Sequence, residues 1–193
     1  MRERRPEDWR TDLAQRHAIE TRVGFTIGQH PELMMLKRST ASTDRLDYQL
    51  LGPGERLVEV ELKSKRQPYR GWSKYRPDVP ESDLFILDEL ALRRIVDAGR
   101  YAFLLVRDMP GERWCVWSTA DLVLTSKSRV ARTVAREVER VKGKLLISLT
   151  EHSIVSDSLV DAIGSIADAI PQVDRQWDDI APWPRGNRPA LGA

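Results

Sequence analysis

Glu61 and Lys63 stand two positions apart in Arg56-Leu57-Val58-Glu59-Val60-Glu61-Leu62-Lys63, where charged residues alternate with apolar ones. On a β-strand alternate side chains share a face and the rise is about 3.3 Å per residue, so a carboxylate and an ammonium roughly 6.6 Å apart at their backbones point the same way. Val58, Val60 and Leu62 then point the other way. The preceding Leu46-Asp47-Tyr48-Gln49-Leu50-Leu51 alternates too, and Gly52-Pro53-Gly54-Glu55 reads as the loop of a hairpin. Directly opposed residues of an antiparallel pair share a face. With Leu46, Tyr48 and Leu50 on the core side, Asp47 faces Glu59 if the loop has about three residues and Glu61 if it has about five. A slip of one residue would bury the charged set, which excludes the intermediate register.

Two carboxylates about 4 Å apart repel by roughly 1 kcal/mol in water and about 4 kcal/mol at the effective dielectric of a protein surface. Such a pair attracts a cation. Mg²⁺ takes oxygen ligands, commonly one or two carboxylates with waters, and completes its shell with phosphate oxygens. Asp47 and Glu61 suit that role, and Lys63 could orient a metal-bound water or offset charge on a transferring phosphate. The competing reading is a solvated strand face on which Glu59, Glu61, Lys63 and Lys65 form cross-strand ion pairs.

Asp47, the hairpin and Glu61-Leu62-Lys63 together resemble the PD-(D/E)XK nuclease superfamily, which includes restriction endonucleases and Holliday-junction resolvases. The resemblance covers roughly Glu7 to Val106; Leu46 stands where the signature has proline, and Asp44 is a competing first acid in a polar run that reads as a turn. It implies a restriction-endonuclease-like α/β core of three layers, a central mixed sheet flanked by helices. It also implies an Mg²⁺-dependent endonuclease acting on DNA, with Mn²⁺ able to substitute. Asp47 and Glu61 become metal ligands, with the Leu62 carbonyl as a further one, and Lys63 assists the attacking water. Many members add a glutamate from the first helix. Glu20 is the candidate here, central in a helix from Pro6 to about Gly28 whose apolar positions include Trp9, Leu13, Ile19, Val23 and Phe25. The alternative for Glu20 is a surface charge paired with Arg16, with His17 one turn earlier an ordinary surface histidine. A catalytically inactive nucleic-acid-binding or assembly module on the same fold is the alternative function. Cutting both strands of a duplex commonly uses two copies of one site, so a homodimer is compatible with this reading, although no sequence feature encodes one.

The segment after the strand is basic and aromatic. Lys65, Arg66, Arg70, Lys74 and Arg76 interleave with Tyr69, Trp72 and Tyr75, and no acidic residue interrupts them. Basic side chains neutralise phosphates and aromatic rings stack on unpaired bases, which makes the segment a candidate DNA contact. Its competing reading is a solvated loop whose aromatics cover the core.

Other segments supply the frame. Leu33 to Leu36 reads as a first strand. A helix capped by Asp83 and running to about Ala98 would bury Leu84, Leu87, Leu90, Ala91, Ile95 and Val96. Tyr101 to Val106 is an apolar run typical of a strand buried on both faces, and Trp114 to Trp117 is a second strand with core tryptophans. A charged helix over Lys127 to Lys142, a strand over Lys144 to Leu149, and a helix from Asp157 to about Ile170 stopped by Pro171 complete the order. One domain over 1–175 is expected, followed by a Pro-rich tail over 176–193.

Composition bounds the remaining possibilities. The 193 residues are 41% hydrophobic and 31% charged, ordinary for a globular domain, with a net charge of +2 that does not by itself mark a nucleic-acid binder. No apolar run approaches the roughly 18–20 residues that span a bilayer, and Met1 to Arg5 lacks a signal-peptide core, so a cytoplasmic protein without a membrane partner is expected. One cysteine, Cys115, excludes an internal disulfide, and three histidines argue against a zinc cluster. No Gly-rich phosphate loop points to ATP.

Overall fold

The computed structural model describes residues 6–39, 46–133 and 141–180. Helix α1 (Pro6–Gln29) leads into β1 (Met34–Arg38), β2 (Tyr48–Gly52) and β3 (Arg56–Lys65), a helix followed by an antiparallel meander. Next come β4 (Leu84–Asp88), α2 (Glu89–Asp97), β5 (Ala102–Asp108), β6 (Arg113–Ser118) and α3 (Thr119–Leu124). The chain continues through β7 (Ser128–Thr133), β8 (Val141–Ser148), β9 (Ile154–Ser156) and α4 (Leu159–Ile180). Six strands form a mixed sheet in the order β1-β2-β3-β5-β6-β9, and β4-β8-β7 form a second, antiparallel sheet. β3 and β5 run parallel, which requires a crossover; β4 and α2 lie within it.

β5 shows how the layers stack. Phe103 and Leu105 bury with Val58, Val60 and Leu62 of β3, against Val23 and Ile27 of α1 and Ile163, Ile166 and Ile170 of α4. Ala102, Leu104 and Val106 face the other way, against Ala91 and Ile95 of α2, Leu122 of α3, and Phe85 and Ile147 of the second sheet. A strand covered on both faces is apolar at both parities, as this one is. The fold is therefore α/β, with a mixed sheet between two covering layers. No helix among the described residues is long and apolar enough to cross a membrane.

Gly52 joins the hairpin to α4. It pairs with Arg56 across the ladder, and a Cβ added there would lie 2.6 Å from Ile170 Cδ1 and 3.1 Å from Val58 Cγ2. Gly52→Ala is expected to destabilise the fold by about 1–3 kcal/mol, the usual range for overpacking a filled core. The check is urea unfolding: the midpoint falls at constant slope, and an unchanged midpoint contradicts the close approach.

Several sequence expectations are corrected. Leu84 to Asp88 is strand, not helix, because its unbroken apolar run finds a ladder partner in β8. The helix begins only at Glu89 and leaves Leu90 69% and Val96 38% exposed, so neither lies in the core. The charged helix expected over Lys127 to Lys142 is strand at Ser128–Thr133, with 134–140 outside the described residues. Valine and threonine are stiff at χ1 and favour a pleated strand once a partner is present, here β8. α4 does not stop at Pro171. Its buried stripe of Ile163, Ile166 and Ile170 continues to Val173, and that packing offsets a cost of about 3 kcal/mol for an interior proline. Its cap is Ser158, whose hydroxyl accepts from the Val160 and Asp161 N–H groups at 3.2 and 3.5 Å, so the helix starts at Leu159 and not at Asp157. Trp177 to Ile180 extend this helix, and 181–193 lie outside the described residues. Leu46 is buried with the α2-side core, opposite Tyr48 and Leu50, so the alternation of β2 does not extend back to it.

Candidate active site

The site forms where two strands part. The β2–β3 ladder ends at Tyr48↔Val60, while β3 continues beside β5 from Glu61↔Leu104 to Lys65↔Asp108. Beyond Val60, backbone groups on the side that β2 has left need other partners. The Leu62 N–H finds one in Asp47 Oδ2 at 2.8 Å, and the Asp47 carbonyl accepts from the Ser39 N–H at 2.8 Å. Asp47 thus stands one step beyond the last ladder pair, on the register that faces Glu61. The expectation that this register needs a five-residue loop is corrected: Gly52 pairs with Arg56, and Pro53–Glu55 closes the hairpin in three residues as one 3₁₀ turn, with Gly54 at φ 66°. Glu59 instead opposes Gln49, whose side-chain amide donates to its carboxylate. Asp44 lies outside the described residues.

Glu61 is 2% exposed. A buried carboxylate costs several kcal/mol unless paired, roughly the desolvation penalty of one ion. Lys63 Nζ donates to Glu61 Oε1, and Arg94 Nη2 approaches the same oxygen at 3.3 Å. Arg94 comes from α2 and has no signal in the β3 motif; it precedes the buried Ile95 in a helix whose other arginine, Arg93, is a surface residue. Burial, then the Glu61 charge, pushes the Asp47 carboxyl above its usual range, against the opposing pull of the Leu62 N–H, Lys63 and Arg16.

α1 brings Glu20 to the same region. Glu20 Oε1 accepts from Arg16 Nε at 2.6 Å, and Oε2 lies 3.3 Å from Arg38 Nη2 and 3.8 Å from His17 Nδ1. The Tyr48 hydroxyl donates to the Glu20 carbonyl at 2.8 Å, which ties the helix to β2. The pairing of Glu20 with Arg16 matches the surface-charge alternative, yet Glu20 is only 8% exposed. Arg16 links it to the strand acids, since Arg16 Nη2 lies 3.9 Å from Asp47 Oδ1.

Donor chemistry is the test for a metal. Asp47 and Glu61 offer hard oxygen donors, and a cation between them would relieve the mutual repulsion that helps raise Asp47. Among the described residues no group of three or more His, Cys, Asp or Glu is arranged to hold a metal ion. Asp47 and Glu61 thus supply donors of the kind a hard divalent cation takes, while the Glu20 carboxylate is turned to Arg16 and Arg38.

A cleft of about 530 Å³ opens beside these residues, lined by Leu13, Arg16, Ile19 and Glu20 of α1 and by Leu62, Lys63, Ser64, Arg66, Gln67 and Tyr69. The segment after β3 is anchored rather than loose. Glu81 accepts from the Gly71 N–H at 2.6 Å and the Ser73 hydroxyl at 3.0 Å, and Trp72 packs against a small core of Val79, Leu84 and Leu146. Arg70, Lys74 and Tyr75 are exposed, with Lys74 Nζ 4.8 Å from the Tyr75 ring centre and the Trp72 and Tyr75 rings 5.9 Å apart. Tyr69 is half-buried, and burial pushes its hydroxyl up to about 12.

Two of the expected DNA contacts lie inside the protein. Lys65 has 0% exposure; its ammonium donates to the Ser82 carbonyl and lies 3.5 Å from Asp108 Oδ1. Arg76, 6% exposed, is held by Asp78, Glu151 and two backbone carbonyls. As folded, neither can reach a phosphate. Comparison with family models, curated proteins and solved structures finds no match.

Proposed function

We propose that Asp47, Glu61 and Lys63 form the centre of a metal-dependent nuclease that hydrolyses phosphodiester bonds in DNA. The observation that carries this reading is the convergence of two acids and a lysine where β2 leaves β3, the lysine lining a cleft that also bears Arg16 and Arg66. Asp47 and Glu61 would hold Mg²⁺ or Mn²⁺. When bound, the ion supplies polarisation of a phosphoryl oxygen and a water of lowered pKa.

The chain's own groups do the rest. Arg94 and Lys63 hold the Glu61 carboxylate in one orientation from two sides. Lys63, 31% exposed, reaches the cleft as well, where its ammonium orients the attacking water or offsets charge on the phosphoryl oxygens. Arg66, with the exposed Arg70 and Lys74 beyond it, gives the flanking phosphates a basic track.

The test is cleavage of a mixed DNA panel by the purified chain with millimolar Mg²⁺. Lys63→Ala is expected to slow cleavage by about 10²–10³-fold, the scale for removing one preorganised charge-stabilising donor. Cleavage at the wild-type rate contradicts the assignment.

One observation favours a second reading, a phosphate-binding module without catalysis. Among the described residues Arg16, Arg38, Lys63 and Arg94 contact the three carboxylates Glu20, Asp47 and Glu61, so this cluster carries a net positive charge without any metal. That module binds DNA with the same salt dependence but releases no heat on titration with Mg²⁺ or Mn²⁺.

A further inference from the structure

Asp47 and Glu61 do not present all their oxygens to a ligand. Asp47 Oδ2 is committed to the Leu62 N–H, which leaves Oδ1. Glu61 Oε1 is committed to Lys63 and Arg94, which leaves Oε2. Among the described residues, the cation that pairs with the remaining Asp47 oxygen is Arg16, whose Nη2 lies 3.9 Å from Oδ1 while its Nε holds Glu20 at 2.6 Å.

We infer that Arg16 is the resident counter-ion of this site: a divalent cation must displace its guanidinium from Asp47, and the displaced guanidinium then takes a substrate phosphate in the cleft. The inference rests on the metal-dependent reading of the site. A guanidinium does not lose its proton at any pH a folded protein meets, so it can leave Asp47 only by moving. Arg16 can move. Its side chain is 57% exposed, against 11% for Glu20 and 16% for Asp47, and it lines the cleft together with Lys63 and Arg66. The hydrogen bond that Arg16 donates to Glu20, with the charges of Glu20, Asp47 and Glu61, holds its guanidinium above the ordinary value against the opposing cost of burial, so one side chain feels all three acids.

This arrangement couples two events. Without metal, Arg16 satisfies the acids and keeps them from repelling one another. With metal, the same positive charge is released on the side of the cleft, where it adds a phosphate contact. Substrate phosphate and metal then favour each other, since each stabilises the outward position of Arg16.

The experiment is Mn²⁺ titration by calorimetry on the full chain, without DNA, comparing wild type, Arg16→Gln, Arg16→Lys and Glu61→Gln. Arg16→Gln is expected to bind Mn²⁺ about tenfold tighter than wild type, and Arg16→Lys close to wild type, since removing one competing charge a few ångströms away is worth roughly a factor of ten. With Mn²⁺ present, Arg16→Gln should also lower the salt slope of DNA binding by about one phosphate contact. A purely structural Arg16 would not tighten metal binding. If Glu61→Gln abolishes binding while Arg16→Gln leaves it unchanged or weaker, the metal site stands and the counter-ion inference is overturned. If neither wild type nor Arg16→Gln binds Mn²⁺, both the inference and the nuclease reading fall.

Discussion

Glu61→Gln is expected to abolish metal-dependent DNA cleavage, by about 10³-fold or more, while the fold survives. The glutamine keeps the shape of the side chain and can still accept a hydrogen bond from Lys63 or Arg94, but it lacks the charge that draws a cation to Asp47. No solvent replaces that charge, because the site of Glu61 is 2% exposed. Lys63 and Arg94 then share a neutral acceptor where they shared a carboxylate. The expected stability loss is about 1–3 kcal/mol, the range for weakening buried hydrogen bonds to a charged group. Cleavage assays with matched circular dichroism check this pair of outcomes. Substantial cleavage by a folded Glu61→Gln protein would remove Glu61 from the chemistry.

Arg76→Ala should have the largest effect on stability. Its guanidinium donates to both Asp78 oxygens at 3.0 and 2.9 Å, to the Ser126 and Leu146 carbonyls at 2.6 and 3.3 Å, and to Glu151 at 3.2 Å. These partners come from the stretch just after the basic segment, the α3–β7 connection, β8 and the turn after β8. Removing the guanidinium leaves two carboxylates, 61% and 27% exposed, and two backbone carbonyls without their donor, and at about 1–3 kcal/mol for each acceptor shut off from water the loss comes to about 3–5 kcal/mol. Arg76→Lys should recover only part, since an ammonium cannot reproduce the planar fork that meets several acceptors at once. Urea unfolding reads both variants. A loss below about 1 kcal/mol in Arg76→Ala, typical of a surface pair, would contradict the latch. Under conditions where the variant stays folded, its DNA affinity should match wild type, because Arg76 faces the interior.

How much of this was legible follows from where the information lies. The charged parity of β3 and its relation to Asp47 are local and periodic, so the alternation of Tyr48, Leu50, Val58, Val60 and Leu62 put Asp47 on a register with Glu61 or Glu59, even though Leu46 breaks the pattern. The loop length misled because Gly52, without a side chain, joins the ladder, and three residues then suffice. Burial of Lys65 could not be read from the strand, since its environment is made by Asp108 on the neighbouring β5 and by Ser82, both distant in sequence. Arg94 escaped for the same reason: its approach to Glu61 depends on where α2 docks. The segments mistaken for helix, Leu84 to Asp88 and Ser128 to Thr133, each became strand only because β8 lies between them in a sheet that no single segment encodes. The β-branched Val130 and Thr133 of the latter suit a pleat once a partner is present. Local patterning thus singled out the two acids and the lysine that the fold brings together, while tertiary pairing decided which basic residues face solvent.

The most direct measurement is the position of manganese. Crystals of the full chain soaked in Mn²⁺ should show one anomalous peak between Asp47 and Glu61, at metal–oxygen bonding distance of about 2–2.5 Å from a carboxylate oxygen of each. Arg16 should be turned away from Asp47 in the same crystals. No anomalous peak at these carboxylates, with Arg16 still between Glu20 and Asp47 and with Lys63 and Arg94 on Glu61, would contradict a metal-dependent nuclease centred on this site.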